Sequence, residues 1–336
     1  MEVFFDQLAD GISRGALYGL LALALVFIFR ATDIVNFAQG EMAMLSTYLG
    51  WSVSRPLSLS WIPLLGIERH IGILTWRPEI FGLSLYLGTS NAAGETRLGY
   101  FVVLIITAAL AFIMGAFIER FIIRPSEGKN LLNAVIVTLG IFALLNSLAN
   151  FKYGSAPQVY PAPFRGAAVD FGFFKMSQHS LFALIVASIL MVVIYLFFQH
   201  TRLGLGVRAA ALNPTASQLM GINTGRMLTL GWGLAAVIGA IAGMMVAPYV
   251  AGISPNLMLG VLIYGFAAAV LGGLDSAVGA IVGGIAVGIT QSMVVQYGDK
   301  ISLGSEWSDV VAFGLIIVVL MIKPTGLFGA PVVKKV

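Results

Sequence analysis

The chain has 336 residues, of which 59% are hydrophobic and only 10% are charged, and its formal net charge is +4. Soluble domains carry about 25% charged residues, so a water-soluble protein of this length could not bury so much apolar surface. The basic residues lie at the ends of apolar runs, which is typical of a membrane protein rather than a nucleic-acid-binding one, and the absence of cysteine excludes disulfides and thiolate catalysis.

Nine apolar stretches have the length of membrane-spanning helices, or nearly so, since such a helix takes about 20 residues. They do not alternate between apolar and polar residues, which favours helices over a β-barrel. We therefore predict an all-α, polytopic transmembrane helical bundle of about eight or nine spans, forming a single domain over residues 1–336. The second and seventh stretches are interrupted and could be broken or re-entrant half-spans. The predicted spans are 11–29, 34–53, 100–118, 131–150, 179–199, 227–247, 258–274, 277–296 and 308–322.

The basic residues predict how the bundle is oriented. Cytoplasmic loops of membrane proteins are enriched in Lys and Arg, and ten of the 19 basic residues fall in four segments that we place inside. The N-terminus is then outside and the C-terminus cytoplasmic. Residues 54–99 become an extracytoplasmic insertion, and 151–177 a second outside loop. Both are either simple connections or docking surface for an external partner. The inside segments are 30–33, 119–130, 201–226 and 323–336.

Glycines recur at intervals of four residues in two distant stretches. Gly11, Gly15 and Gly19 form one set, and Gly284 and Gly288 belong to the other. Small residues at this spacing let helix backbones approach closely in lipid. We predict close helix packing at these positions, of a kind that also lets helices shift against one another.

A polar segment at the start of the second predicted span is a candidate for the solute pathway. An ionised Glu near the middle of a bilayer costs several kcal/mol unless it is paired or hydrated. Glu41 therefore either lies near the cytoplasmic interface, where it would cap a helix, or faces a hydrated pathway. Asn36 and Gln39 would help to line such a pathway.

A second candidate follows the seventh predicted span, where Gly272, Gly273 and Asp275 interrupt the apolar sequence. Breaks of this kind can mark the midplane site of a transporter, because irregular backbone is tolerated only against protein or water. The alternative is a tight turn between two ordinary spans, with Asp275 capping the next helix.

The loop between the fifth and sixth spans predicts a short helix outside the membrane. Asn213 can cap its start, Pro214 suits its first position, and Gly221 can end it. A capped, mildly apolar helix at this place is suited to bind another protein.

The sequence contains partial matches to motifs for catalysis or nucleotide binding, but the structural context that each motif requires is missing. Residues 11–15 match G-x-S-x-G, but no strand is predicted before them and a membrane helix follows, so the nucleophile-elbow geometry is absent. The only Gly-Lys pair, at 128–129, lacks the rest of a phosphate-binding loop. The three histidines are far apart, without metal-ligand spacing. We predict no catalytic site, metal site or bound cofactor in this chain, and infer that energy comes from a separate subunit.

Six segments distributed over nearly the whole chain carry a family resemblance. In combination they resemble the permease subunits of branched-chain amino acid ABC importers, the LivH/LivM type, and the NFAQGE segment and short tail favour the LivH-like subunit. Gln39 stands where the family commonly has His, and residues 51–99 look longer than its usual loop. The segments are GISRGALYGLLALA at 11–24, IVNFAQGE at 34–41, ERFIIRP at 119–125, RAAALNPTASQLMGIN at 208–223, AAVLGGLDSAVG at 268–279 and KPTGLFG at 323–329.

The resemblance implies a bacterial inner-membrane permease subunit of an ATP-driven importer for branched-chain or related small amino acids. Its expected partners are a second, LivM-like permease, two cytoplasmic ATPases that hold ATP and Mg²⁺, and an extracytoplasmic solute-binding protein. Related permeases move urea, short amides or small organic acids, which is the alternative, and an ion-driven secondary transporter is a more distant one. Residues 200–226 would be the ATPase-coupling loop, with contacts from Arg208, Asn213, Pro214, Ala216, Leu219, Met220 and Gly221.

Overall fold

A computed structural model gives the arrangement of the chain. It describes residues 2–32, 34–54, 79–80, 83–84, 88–90, 96–126, 131–160, 162–164, 168–172, 174–250, 252–298 and 307–329. The α-helices are α1 (Glu2–Thr32), α2 (Gln39–Ser54), α3 (Tyr100–Ile118), α4 (Leu131–Tyr153), α5 (Gln178–His200), α6 (Arg202–Leu212), α7 (Pro214–Leu219), α8 (Thr224–Val246), α9 (Leu259–Gly272), α10 (Ala277–Tyr297) and α11 (Trp307–Ile322).

Short elements fill some of the connections. A π-helix (Glu119–Ile123) and a 3₁₀ turn (Arg124–Ser126) follow α3. Three two-stranded antiparallel hairpins pair β1 with β2, β3 with β4, and β5 with β6. Most of the predicted insertion 54–99 lies outside the described residues. The strands are β1 (Glu79–Ile80), β2 (Leu83–Ser84), β3 (Gly88–Ser90), β4 (Thr96–Leu98), β5 (Val169–Asp170) and β6 (Lys175–Met176).

The predicted polytopic helical bundle is confirmed. In the described part of the chain, six helices are long and apolar enough to cross a membrane, namely α1, α3, α4, α5, α8 and α10. Helices α2 and α9 have only 16 and 14 residues. At a rise of 1.5 Å per residue they reach about 24 and 21 Å, less than the roughly 30 Å of a bilayer core. The second and seventh stretches are therefore short helices, as their interruptions predict.

Helix α1 is the centre of the bundle. It contacts α5, α8, α9 and α10, and residues 15–26 of α1 are all buried. A helix that is surrounded on every side needs apolar or small residues all round rather than on one stripe. The helix begins at Glu2, nine residues before the predicted span. Polar residues such as Asp6 are tolerated here because residues 3–5 are exposed and Asp6 is only partly buried.

Close contact between α1 and α10 depends on the glycines that recur every four residues. A Cβ added to Gly284 would lie 2.4 Å from the Cα of Gly19, and one added to Gly288 would lie 2.3 Å from the Cα of Gly15. Real Cβ atoms do not approach a backbone so closely. The packing predicted from the glycine spacing is therefore present, and it joins the two sets to each other.

The bundle has two ends that carry different segments. At the N-terminal end, which contains the start of α1, the β5–β6 hairpin contacts α1 through a hydrogen bond from the Lys175 amide to Asp6 Oδ1 (2.6 Å). Trp51 Nε1, near the end of α2, donates to the Val159 carbonyl at the same end (3.0 Å). At the C-terminal end lie Arg30 and the described parts of 119–130, 201–226 and 323–336. The described parts of these segments thus lie together, since Arg124 Nη2 donates to the Gly225 carbonyl and Arg30, Arg208 and Asp275 line one pocket. The side of the membrane that this end faces stays a prediction.

Candidate functional site

The helix predicted after Asn213 is present as α7. The Asn213 side chain accepts a hydrogen bond from the Ala216 amide (2.9 Å), and Pro214 occupies the first turn. Gly221 follows the helix with φ +80°, a left-handed conformation that glycine adopts without strain. The local structure of this segment is therefore as the sequence predicts.

Helix α7 presents apolar side chains that nothing in the described chain covers. Leu219 is 85% exposed and Met220 82%, and Leu212 immediately before the helix is 87% exposed. Ala216 is exposed as well, whereas Ser217 is buried against the bundle. The apolar surface that the docking prediction requires is therefore exposed, and the contact itself stays a prediction.

Two contacts connect this segment to its neighbours. Gln218 Nε2 donates to the Oγ1 atom of Thr224, the first residue of α8 (2.9 Å). Arg208 lies on α6, a separate helix before α7 that the sequence does not clearly predict, and its Nη1 donates to Gln199 Oε1 (3.1 Å). Arg208 is therefore at the base of the segment, and its side chain is directed toward the end of α5 rather than along α7.

The first set of pathway candidates lies inside the bundle. Asn36, Gln39 and Glu41 are all buried, with at most 2% of their surface exposed. Gln39 Nε2 donates to the Ala235 carbonyl in the middle of α8 (2.8 Å). Glu41 Oε2 accepts from Asn146 Nδ2 on α4 (3.4 Å). Glu41 is thus paired with an amide at the start of the half-span α2 and is not at an exposed interface.

The second set forms a tight turn at the C-terminal end of the bundle. Gly273 has φ +104°, and an added Cβ there would lie 2.7 Å from the Gly329 amide. Ser276, not Asp275, caps α10, since its side chain accepts from the Gly279 amide (3.0 Å). Asp275 is exposed. The backbone of residues 272–276 therefore forms a tight turn between two helices, which is the second of the two predicted alternatives. The two sets of candidates are not brought together, since this one packs on the C-terminal segment and the first one packs on α8.

The C-terminal segment completes this turn. The amide of Leu327 donates to the Leu271 carbonyl and the amide of Phe328 to the Gly272 carbonyl, both at 2.9 Å. These two carbonyls belong to the last turn of α9, where no further helical residue can supply a donor. Residues 327–328 thus satisfy the end of α9.

Sequence reasoning missed an ion-pair cluster beside α8. Glu119 is fully buried, and its Oε1 accepts from both Nε (2.9 Å) and Nη2 (2.8 Å) of Arg124. Arg124 Nη2 also donates to the Gly225 carbonyl (2.7 Å), and the Thr229 hydroxyl donates to Glu119 Oε2 (2.7 Å). The cluster joins the end of α3 to the first turns of α8. The spacing of Glu119 and Arg124 in the sequence does not indicate that Gly225 and Thr229 are their partners.

Comparison with known proteins identifies the family. The family model described as branched-chain amino acid transport system, permease component, matches residues 7–320. The chain belongs to this permease family. The permease is 30% identical to the high-affinity branched-chain amino acid transport system permease protein LivH of Escherichia coli K12, over 99% of this chain and 98% of the relative. It is 28% identical to BraD of Pseudomonas aeruginosa, over the same shares.

Other comparisons set the limits of this assignment. A galactose/methyl galactoside import permease protein, MglC of Escherichia coli K12, is 26% identical over 64% of the permease and 63% of its own length. No solved structure matches the permease significantly.

The G-x-S-x-G match of the permease has no catalytic geometry, because Ser13 is buried within α1 and donates to the Ala9 carbonyl (3.0 Å).

Proposed function

We propose that this chain provides the transmembrane pathway of an ATP-driven importer for branched-chain or related small amino acids. The family match and the relatives LivH and BraD support the transport role and the solute class. The pathway for a related amide, urea or small organic acid is the alternative. The basic C-terminal end of the bundle faces the cytoplasm in this proposal, and the start of α1 faces outside.

Coupling to ATP hydrolysis is assigned to α7. The observation that carries this assignment is a capped helix at the basic end of the bundle with Leu219 and Met220 more than 80% exposed. In the proposal, two ATPase subunits with ATP and Mg²⁺ contact this helix, and a second permease subunit and an external solute-binding protein complete the importer. The apolar faces of α3, α4 and α5 leave ample surface for lipid and a second subunit, since the most apolar parts of these helices are only 28%, 28% and 22% buried.

A chain of contacts would carry the movement of α7 into the bundle. Gln218 connects α7 to the first residue of α8, and Arg124 connects the first turns of α8 to α3. Helices packed through small residues have more than one workable packing, so a shift of α8 and α3 can open and close the pathway by small sliding motions.

Two substitutions test the coupling. In proteoliposomes containing the assembled importer and ATP, Ala216→Asp places an unpaired charge in the docking contact, and Gly221→Val strains the left-handed residue by about 1–2 kcal/mol. We expect ATP-driven uptake of radiolabelled leucine to fall about tenfold or more, since each 1.4 kcal/mol lost from the contact corresponds to a factor of ten.

The control is Gly154→Val, at the N-terminal end of the bundle. Gly154 also has a positive φ, +77°, and an added Cβ there meets nothing within 4 Å. Its strain is the same but it does not touch α7, so uptake should be unchanged. Normal uptake by Ala216→Asp at a normal membrane level would contradict the docking role. Wild-type uptake that survives ATP depletion while an ion gradient is held would identify a secondary carrier instead.

A further inference from the structure

A small cavity lies beside the first half of α1, toward the N-terminal end of the bundle. Its volume is about 180 Å³, which is well below the roughly 300–1,000 Å³ of pockets for drug-sized ligands. Four parts of the chain line it: α1, the end of α8 with the turn that follows, the start of α9 with Leu257 just before it, and α10. A cavity between helices that converge in this way suits a small solute.

Arg14 is the charged side chain of this lining, and its hydrogen-bonding capacity is only partly used. Arg14 Nε lies 2.8 Å from Asp10 Oδ2, but among the described residues this N–H has no acceptor in line with it. The guanidinium lies 5.8 Å from the ring centroid of Tyr249. Arg14 and Asp10 both lie within the membrane-spanning segment Val3–Arg30, where ionisable side chains are rare and mark substrate or ion sites.

A second polar group is fixed in place on the same cavity. The Tyr18 hydroxyl donates to Gln291 Oε1 (2.5 Å), and the Tyr18 ring stacks on Tyr264 with centroids 5.0 Å apart. The Tyr264 hydroxyl in turn donates to Asp309. Because each of these side chains is held by a neighbour, the polar surface is organised before any solute arrives.

Apart from Tyr249 and Tyr264, the rest of the lining is apolar. Leu17, Val246, Leu257 and Val261 are all buried and line the cavity. An aliphatic side chain could occupy this part of the cavity with only apolar contacts to these four residues. The cavity thus combines a donor with a positive charge, acceptors with a negative charge nearby, and an apolar compartment.

We propose that this cavity is the site at which the permease recognises its solute, a zwitterionic amino acid with a small branched aliphatic side chain. Arg14 binds the carboxylate through its planar fork of donors. Gln291 Oε1 accepts from the ammonium group, and Asp10, which pairs with Arg14 beside the cavity, supplies the negative charge that attracts it. The apolar residues surround the side chain. The inference rests on the proposed function and adds the residues that hold the solute.

The charges favour this class of solute over the alternatives. The ion pair of Arg14 and Asp10 has no net charge, and a zwitterion presents one charge of each sign to it. An organic acid would meet Asp10 without a cation of its own, and an uncharged amide would give up the charge-assisted hydrogen bonds, which are about twice as strong as neutral ones.

Gly260 allows the cavity to be narrowed in steps. It lines the cavity, and an added Cβ there meets nothing within 4 Å, so a larger side chain enters open space instead of displacing backbone. In ATP-loaded proteoliposomes with one binding protein throughout, we expect Gly260→Ala, Gly260→Val and Gly260→Phe to lower leucine uptake progressively. Alanine uptake should fall much less, so the leucine-to-alanine ratio drops about tenfold in Gly260→Phe, as steric exclusion from an apolar pocket predicts.

Arg14 is tested in the same assay. We expect Arg14→Gln to lower leucine uptake about tenfold or more and Arg14→Lys to have an intermediate effect, since Lys keeps the charge but loses the bidentate geometry. Controls are Gly314→Phe on α11, where an added Cβ also meets nothing within 4 Å, and Arg120→Gln, an exposed cation at the other end of the bundle and outside the cavity. Both should transport as wild type, and all variants should reach the membrane at normal levels.

The outcomes separate the two proposals. An unchanged leucine-to-alanine ratio in Gly260→Phe, or an equal loss for both solutes, would overturn the cavity as the recognition site while leaving the importer intact. Normal leucine uptake by Arg14→Gln would overturn the role of Arg14. If the wild-type protein showed no ATP-dependent uptake at all, the proposed function itself would fail.

Discussion

A valine at position 288 will prevent the bundle from packing, so that little folded protein accumulates in the membrane. An added Cβ on Gly288 would lie 2.3 Å from the Cα of Gly15 and 2.5 Å from the carbonyl oxygen of Gly11. These are backbone atoms of the central helix, which cannot turn aside as a side chain can. We expect a loss of at least about 3 kcal/mol, the upper range for overpacking. The yield of monodisperse protein in size-exclusion chromatography should therefore fall about tenfold or more.

The control for this change is Gly314→Val on α11, where an added Cβ meets nothing within 4 Å. It adds the same side chain to a membrane helix without a backbone clash, so its yield should equal that of the wild type. A wild-type elution profile for Gly288→Val would show that α1 and α10 do not approach as closely as the structure has them.

Arg124→Met will destabilise the protein by about 3 kcal/mol, because it leaves the fully buried Glu119 carboxylate without its cation. Breaking a buried ion pair on one side costs about 3–5 kcal/mol, and the lower value applies because the Arg124 side chain is 32% exposed. The Thr229 hydroxyl alone cannot neutralise the charge. Thermal unfolding of the detergent-purified protein, followed by its tryptophan fluorescence, measures the loss.

Two further variants separate the ion pair from other effects of Arg124. Arg120→Met removes an exposed cation from the π-helix that contains Glu119 and should change stability by less than about 0.5 kcal/mol. The double variant Glu119→Gln with Arg124→Met removes both charges and should recover part of the loss, which a double-mutant cycle quantifies. No recovery in the double variant would mean that Glu119 is not the residue that Arg124 stabilises.

The parts of the structure that sequence predicts are those set by neighbouring residues. Asn213, Pro214 and Gly221 define α7 because a cap, a first-turn proline and a left-handed glycine act on the backbone within a few positions. The glycines of α1 and α10 predict close packing because their spacing places them on one face of each helix. Neither pattern says which helices meet, and the pairing of Gly15 with Gly288 comes only from the structure.

The parts that sequence does not predict depend on partners far away in the chain. Glu119 and Arg124 look like an ordinary basic loop until Thr229 and Gly225 are placed beside them. Ser276 and Asp275 are equally good caps in isolation, and the geometry of the turn decides for serine. Nothing in the sequence distinguishes Arg14 within the first span, and only the structure places it on one cavity with Tyr18, Tyr249 and Gln291.

The contact between residues 327–328 and the end of α9 has a consequence for biosynthesis. Until those residues exist, the carbonyl groups of the buried residues Leu271 and Gly272 lack these amide donors, and leaving a buried polar group unpaired costs about 1–3 kcal/mol. We therefore expect the final turn of α9 to gain these two hydrogen bonds only after α10 and α11 have been translated, which makes the end of α9 a late-forming part of the bundle.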